Sequence, residues 1–235
     1  MRTKSFCGLF FAYLLLNSVA FAQTNVLIND PRAELPTTEL STSDKLIVER
    51  NALPKVRKKL ASEICVEEFE AAGMVTGSFS KKGASQTLVF YQFCQTGNGL
   101  GMVGLVLIDG EKVIGNYTSD GGWSVGVTVL PDINQNGLNE FALHYSGGMH
   151  QGQGGTGVDL MEFSAGGPGG IGWFQSDAFF DEADSIGWKV SVRKGKVPVF
   201  FREKYTARDE GKWRKSGKTA QFSLKKVYSK FTAVK

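Results

Sequence analysis

The sequence predicts a mainly β fold with one N-terminal helix and a C-terminal antiparallel meander. Three observations lead there. From Met74 onward, short runs rich in valine, leucine, phenylalanine and tyrosine are separated by glycine, the composition of strands joined by turns. One earlier segment repeats apolar residues at spacings of three and four, the helical period. Between Lys189 and Lys235, turn signals at Lys194-Gly195, Asp209-Glu210-Gly211 and Ser216-Gly217 recur between apolar runs, as an antiparallel sheet requires.

The elements follow in order. Residues 1–22 read as a secretory signal: Arg2 and Lys4 precede the uncharged apolar run Phe6–Leu16, and Ala20-Phe21-Ala22 supplies the small-x-small pattern of a cleavage site. That run is shorter than the roughly 20 residues that span a bilayer, so cleavage before Gln23 is expected rather than a membrane anchor. A secreted or periplasmic chain without a transmembrane segment is the result. Residues 23–52 are polar and proline-containing and are expected to form a flexible leader. Leu53, Val56, Leu60 and Ile64 place an apolar stripe on a helix over Leu53–Phe69, with Pro54 tolerated in its first turn.

Strands are then expected at Thr87–Phe93, Met102–Ile108, Lys112–Tyr117, Ser124–Leu130, Glu140–Tyr145 and Thr156–Phe163. Glycine-rich loops are expected at Gly147–Gly157 and Gly166–Gly172. The meander takes Val190–Val192, Val197–Thr206 and Thr219–Leu224, with Pro198 at an edge or a bulge. The expected organisation is a helix plus β repeats over 53–188, followed by a basic meander over 189–235 packed on the same domain.

Cys7 leaves with the signal, so Cys65 and Cys94 remain in a compartment where disulfides persist. A bond between them is expected, worth about 3 to 4 kcal/mol in the chain-entropy model, with free buried thiols as the alternative. Neither has a second cysteine close by in sequence, which argues against CxxC redox chemistry. Charge is divided along the chain. Lys189–Lys235 carries 15 basic and 3 acidic residues, whereas Gln23–Trp188 carries 10 basic and 20 acidic. Such asymmetry implies contact between the two parts or an anionic partner for the basic one.

Asp132-Ile133-Asn134-Gln135-Asn136-Gly137-Leu138-Asn139-Glu140 carries side-chain oxygens at its first, third and fifth positions, a turning glycine at the sixth and a carboxylate at the ninth. These can wrap one hard cation, the Leu138 carbonyl adding a backbone oxygen. It is not an EF-hand, because Leu143 stands where the twelfth-position glutamate belongs and the flanks read as strands. The segment Val129–Leu143 resembles the calcium loops of FG-GAP repeats, the blade motif of integrin α-chain propellers, where DxDxDGxxD lies between two strands. That resemblance implies a propeller-like or β-sandwich arrangement, with calcium held by Asp132, Asn134, Asn136, Glu140 and the backbone of Leu138. With two carboxylates the affinity should be weak, about 10⁻⁴ to 10⁻³ M. The alternative is a hairpin loop whose asparagines and glycine merely supply turn conformations. A degraded copy, Val75–Gln86, aligns with Val129–Glu140, bringing Phe79 onto Ile133 and Gly83 onto Gly137. Ser78, Ser80, Lys82 and Gln86 replace its four side-chain ligands.

Catalytic motifs fare less well. Gly122-Trp123-Ser124-Val125-Gly126 fits GxSxG, and Gly99-Leu100-Gly101-Met102-Val103-Gly104 fits GxGxxG, but each needs a helix where a strand is expected. His144 and His150 flank a glycine-rich turn, and a general base beside Asp159 would make the chain a secreted hydrolase. Asn116-Tyr117-Thr118 is a glycosylation sequon. In the basic meander, Arg193, Arg202, Lys204, Arg208, Trp213 and Arg214 combine cations with aromatic residues, which suits an anionic partner. An anionic polysaccharide, an envelope lipid or another extracellular protein fits that setting better than sequence-specific nucleic acid. The reading favoured is a secreted binding or envelope-associated module with a structural calcium loop, and the competing one is the hydrolase.

Overall fold

The computed structural model describes residues 25–36, 38–59, 70–96, 100–121, 123–146, 153–180, 184–208, 212–227 and 229–235. Its elements are β1 (Val26–Asn29), α1 (Thr42–Asn51), α2 (Leu53–Lys59), β2 (Glu70–Gly77), β3 (Gln86–Thr96), β4 (Leu100–Asp109) and β5 (Lys112–Gly121). There follow β6 (Trp123–Val129), β7 (Phe141–Ser146), β8 (Gln153–Ser164), β9 (Gly167–Phe180), β10 (Asp184–Arg193), β11 (Val199–Arg208), β12 (Arg214–Lys215), β13 (Ala220–Phe222) and β14 (Thr232–Ala233). The protein is mainly β, as expected, and its strands form two antiparallel sheets. One has the order β14-β5-β4-β3-β2. The other runs β12-β11-β10-β9-β8-β7-β6, with β1 on β10 and β13 on β11, and curls into a half-barrel.

Alternation along the central strands, interrupted by bulges, sorts the core into three layers. Val89, Tyr91, Val106 and Ile108 face the helices, packing on Val48, Ala52, Leu53 and Val56. Their neighbours Leu88, Phe90, Leu105 and Leu107 face the larger sheet, meeting Val127, Phe141, Leu143, Met161 and Phe163. The opposite, concave face of that sheet gathers Ala142, Val158, Leu160, Phe174, Val190, Val192 and Phe200 around Ile28, Leu130 and Ile133. Each large apolar side chain so buried contributes about 1.5 to 3 kcal/mol. Residues 223–227 and 229–235 then strap the two sheets together. Trp173 and Lys225 exchange backbone hydrogen bonds, Ser229 N donates to Asp159 Oδ2 at 2.8 Å, Lys230 N donates to Ser119 Oγ at 3.1 Å, and β14 pairs with β5. Among the described residues no helix is long and apolar enough to cross a membrane.

Several expectations are corrected. Residues 23–52 are not a leader throughout: β1 pairs with β10, and α1 occupies Thr42–Asn51. The Ser41 side chain caps α1 by accepting from Asp44 N, and one buried residue, Val48, faces the core, too little to register as a periodic stripe. The apolar repeat Val48, Ala52, Val56 continues through α2, so one amphipathic stripe spans two helices. Pro54 lies just past the break between them, lacking the N–H that a continuous helix would bond. Residues 60–69 lie outside the described residues, and with them the rest of the expected helix and Cys65, so the expected Cys65–Cys94 bond lies outside them too.

The boundary at 189 falls inside β10, and β12 and β13 both pair with β11 rather than continuing a meander. Pro198 immediately precedes β11, where no ladder bond is demanded of it. Gly166–Gly172 is not a loop, since β9 begins at Gly167. A Cβ at Gly170 would meet Val227 at 2.2 Å, and one at Gly172 would meet Leu224 at 2.4 Å. Glycine is thus needed there for the strap to lie against the strand. Likewise Gly154, Gly155 and Gly157 belong to β8.

Candidate calcium-type loop and adjoining surfaces

The loop 130–140 joins β6 to β7 and is held from three sides. Leu130 N donates to Glu140 O at 2.8 Å, Asn139 N to Ser78 O at 2.9 Å, and Gly195 N to Ile133 O at 3.0 Å. Ile133 is fully buried and anchors the loop on the concave core. The oxygen-bearing side chains then fold inward on the backbone. Asp132 accepts from Asn136 N at 3.0 Å and Gly137 N at 2.7 Å; Asn134 Oδ1 accepts from Asn136 N at 3.0 Å; Asn136 Oδ1 accepts from Leu138 N at 2.8 Å. Gln135 (φ 61°) and Gly137 (φ 88°) take the left-handed conformations that turn the chain. Each accepting oxygen has a second lone pair.

Glu140 is the buried acid of the loop, 1% exposed to solvent. Its Oε2 accepts from Ile133 N at 2.8 Å, whereas its Oε1 is buried without a hydrogen-bond partner among the described residues. Burial raises its pKa to about 6, hydrogen bonds from the loop backbone pull it down, and nearby Asp132 raises it further. A buried carboxylate oxygen with no donor is the kind of group a hard cation satisfies, so the residues present fit calcium. Among the described residues no three histidine, cysteine, aspartate or glutamate side chains form a metal cage by themselves. A cation here would therefore rest on Asp132 and Glu140 together with the asparagine and backbone oxygens.

Sequence reasoning missed Glu162. It lies on β8, and its Oε2 accepts from Asn134 Nδ2 at 2.8 Å and Asn136 Nδ2 at 3.0 Å. By taking both NH₂ groups it turns both amide oxygens toward the loop, the service an outer partner performs for a metal ligand. Its signal is cross-strand: extending the Phe141–Met161 register by one step places Glu140 opposite Glu162.

The segment Val75–Gln86 turns in the same way. Phe79, like Ile133, is fully buried, and Gly83 (φ 70°), like Gly137, is left-handed. Gln86 accepts from Phe79 N at 3.1 Å, as Glu140 accepts from Ile133 N, and it too stands opposite an acid, Asp109. The amide differs in what it gives back: Gln86 Nε2 donates to Ser80 Oγ at 2.9 Å and Asp109 Oδ2 at 3.2 Å. The two loops touch, since Ser78 N donates to Asn139 Oδ1 at 2.8 Å and the Lys82 side chain lies over Gly137.

The catalytic expectations separate. His144 faces the concave side and Asp159 the opposite side, with Asp159 beside Leu143 in register and bonded to Ser229 N. His144 Nε2 lies 3.0 Å from Thr128 Oγ1, and burial lowers its pKa to about 4, too low for an effective general base at neutral pH. His150 lies outside the described residues. Trp123–Val129 and Leu100–Asp109 are strands, so neither glycine motif opens a helix. Asn116 is 7% exposed and donates to Ala52 O at 3.1 Å, which leaves its sequon inaccessible in the folded protein.

The basic residues divide by face. Arg202, Lys204 and Arg208 share one face of β11, all exposed, and exposed Arg214 lies opposite Thr206 on that face. Arg202 stacks on Phe222, 5.2 Å from its centroid. Arg193 projects to the other face, over Phe201 at 5.5 Å, and Trp213 lies on that side against Gly187. There Glu203 is bonded by Lys215 Nζ at 2.8 Å and by Thr219, which hold its carboxyl below the usual range. No family model, curated protein or solved structure matches the chain.

Proposed function

We propose that the protein is a secreted or periplasmic, non-enzymatic binding module of FG-GAP-like character, stiffened by calcium at Asp132–Glu140 and holding an anionic polysaccharide on its basic face. The observation that carries the binding reading is the single-faced row of Arg202, Lys204, Arg208 and Arg214 with Phe222 under Arg202. Polymers with repeated anions suit a row of cations two and four residues apart on one face of a strand. The matched geometry of the two loops supports the repeat reading, and the orphaned Glu140 oxygen supports calcium.

Retention on immobilised heparin, eluted with rising salt, tests this. The wild type should elute progressively earlier as salt screens the row, and the triple substitution R202S/K204S/R208S should pass in the wash while R193S elutes with the wild type. Equal retention of the two variants would end the reading. The competing hydrolase reading expects H144Q to abolish turnover; the binding reading expects it to leave retention unchanged.

A further inference from the structure

Along four adjacent strands the concave face of the larger sheet changes from apolar to polar. On that face Ala142 is followed by His144, Phe174 by Ser176, Val158 is preceded by Thr156, and Leu130 by Thr128. His144 and Ser176 are 3% and 5% exposed. These groups pair among themselves: Thr128 with His144, Thr156 Oγ1 with Ser176 Oγ at 2.5 Å, and Asp177 Oδ1 accepting from Thr156 N at 2.8 Å. Together they form one wall of a cleft of about 440 Å³. The segment Leu27–Pro36 forms the other wall, with Leu27, Pro31, Leu35 and Pro36 among its apolar lining residues and Asn29, Asp30 and Glu34 among its polar ones. That segment is pinned by β1 at one end and by Arg32, which pairs with Asp30 at 2.6 Å and stacks over Tyr205 at 4.9 Å.

We propose that this cleft is a second, independent binding site that takes a small sugar and prefers an amino sugar to a neutral or acidic one. Hydroxyls and a neutral imidazole both donate and accept, and so match a ligand whose own hydroxyls do the same. A core-facing stretch with no ligand to serve would continue the apolar surface found one step along each strand. The opposite wall of leucine and proline suits the C–H face of a sugar ring, and the volume lies within the range of small-molecule sites. Charge sets the preference. The ionisable side chains of fixed charge that line the cleft are Asp30, Glu34 and Asp177, all acidic, and Asp30 is already neutralised by Arg32. An ammonium is drawn in and a carboxylate is repelled.

Titrating the purified protein with glucosamine, glucose and glucuronate, followed by NMR shifts of the amide and indole resonances, tests the site. Glucosamine should bind most tightly and glucuronate about tenfold or more weakly than it. Ala33 is exposed and lines the cleft, so A33W should fill the space and abolish binding without moving the melting temperature. D177N should reduce the advantage of glucosamine over glucose by about threefold to fivefold. Wild type that binds none of the three, or A33W that binds as wild type does, would remove the site; equal affinities for all three would overturn the ligand class. Neither result bears on the basic row, which shares no residue with the cleft, or on the calcium-type loop, which shares only Leu130 and none of its proposed ligands.

Discussion

The two loops at Ser78–Gln86 and Asp132–Glu140 are built on one plan and differ in the side chains at the four proposed ligand positions, most tellingly the ninth. Both bury their second residue, turn through a left-handed glycine at the sixth, and aim the ninth side chain back at the second residue's N–H. Gln86 closes its loop unaided, because an amide can accept from the backbone and donate to Asp109 at once. Glu140 cannot donate, and across from it stands another acid. The comparison teaches that turn geometry does not depend on the charge of the ninth side chain: the loop takes the same shape whether an amide or a carboxylate closes it.

The largest effect should fall on what the loops share. Phe79→Ala, which removes ring contacts with Phe141 and Phe163, and Ile133→Ala should each cost about 3 to 4 kcal/mol in urea unfolding. A loss below 1 kcal/mol at either site would break the equivalence. Calcium should then divide them. At 10 mM, a site of the expected weak affinity stabilises the native state by about 1.5 to 3 kcal/mol, read as a rise in melting temperature that EDTA reverses. Asp132→Ala should abolish that rise and Ser78→Ala should leave it intact. Loss of the rise in both, or in neither, would dissolve the distinction.

A pH profile in EDTA sharpens it further. The pKa of Glu140 is raised on folding, so its penalty is absent below the ordinary carboxylate value of 4.5 and grows as pH rises through about 6. Across that window stability should fall by up to about 2 kcal/mol. Glu140→Gln, which copies the Gln86 arrangement opposite Glu162, should flatten this contribution and abolish the calcium response together. Persistence of the same slope in the variant would assign it to other acids. The smallest effect belongs to Lys82, whose ammonium end lies 2.9 Å from where a Gly137 Cβ would sit. Lys82→Ala should tighten calcium about twofold to threefold by removing a nearby cation, with little change in stability. Titration by calorimetry would read it, and weaker binding would reverse the sign of the argument.

What was legible in the sequence was local. The oxygen pattern of Asp132–Glu140 repeats within nine residues, and the central strands announce themselves through β-branched and aromatic runs, so both could be read without partners. Glu162 could not, because its role exists only once β7 and β8 are in register. The short strand Val26–Asn29 hides for a related reason: two inward residues, Val26 and Ile28, make no pattern until β10 is beside them. The glycines of β9 mislead in the other direction, since loop-like composition there serves the close approach of Leu224 and Val227. The row Arg202, Lys204, Arg208 was readable from period two, whereas the separation of Arg193 and Trp213 from it depends on which face each pair presents.

The pairing of β1 with β10 also governs the order in which this protein acquires its shape. Asn29 Nδ2 donates to Trp188 O across 159 residues of chain. A contact of such separation closes a long loop before it returns any stabilisation, and it forms slowly beside the local hairpins of β3, β4 and β5. Refolding should therefore raise the sheets first and seat residues 26–36 afterwards. The wall that completes the concave cleft is thus the last part to arrive, and in native-state hydrogen exchange it should be among the first to open.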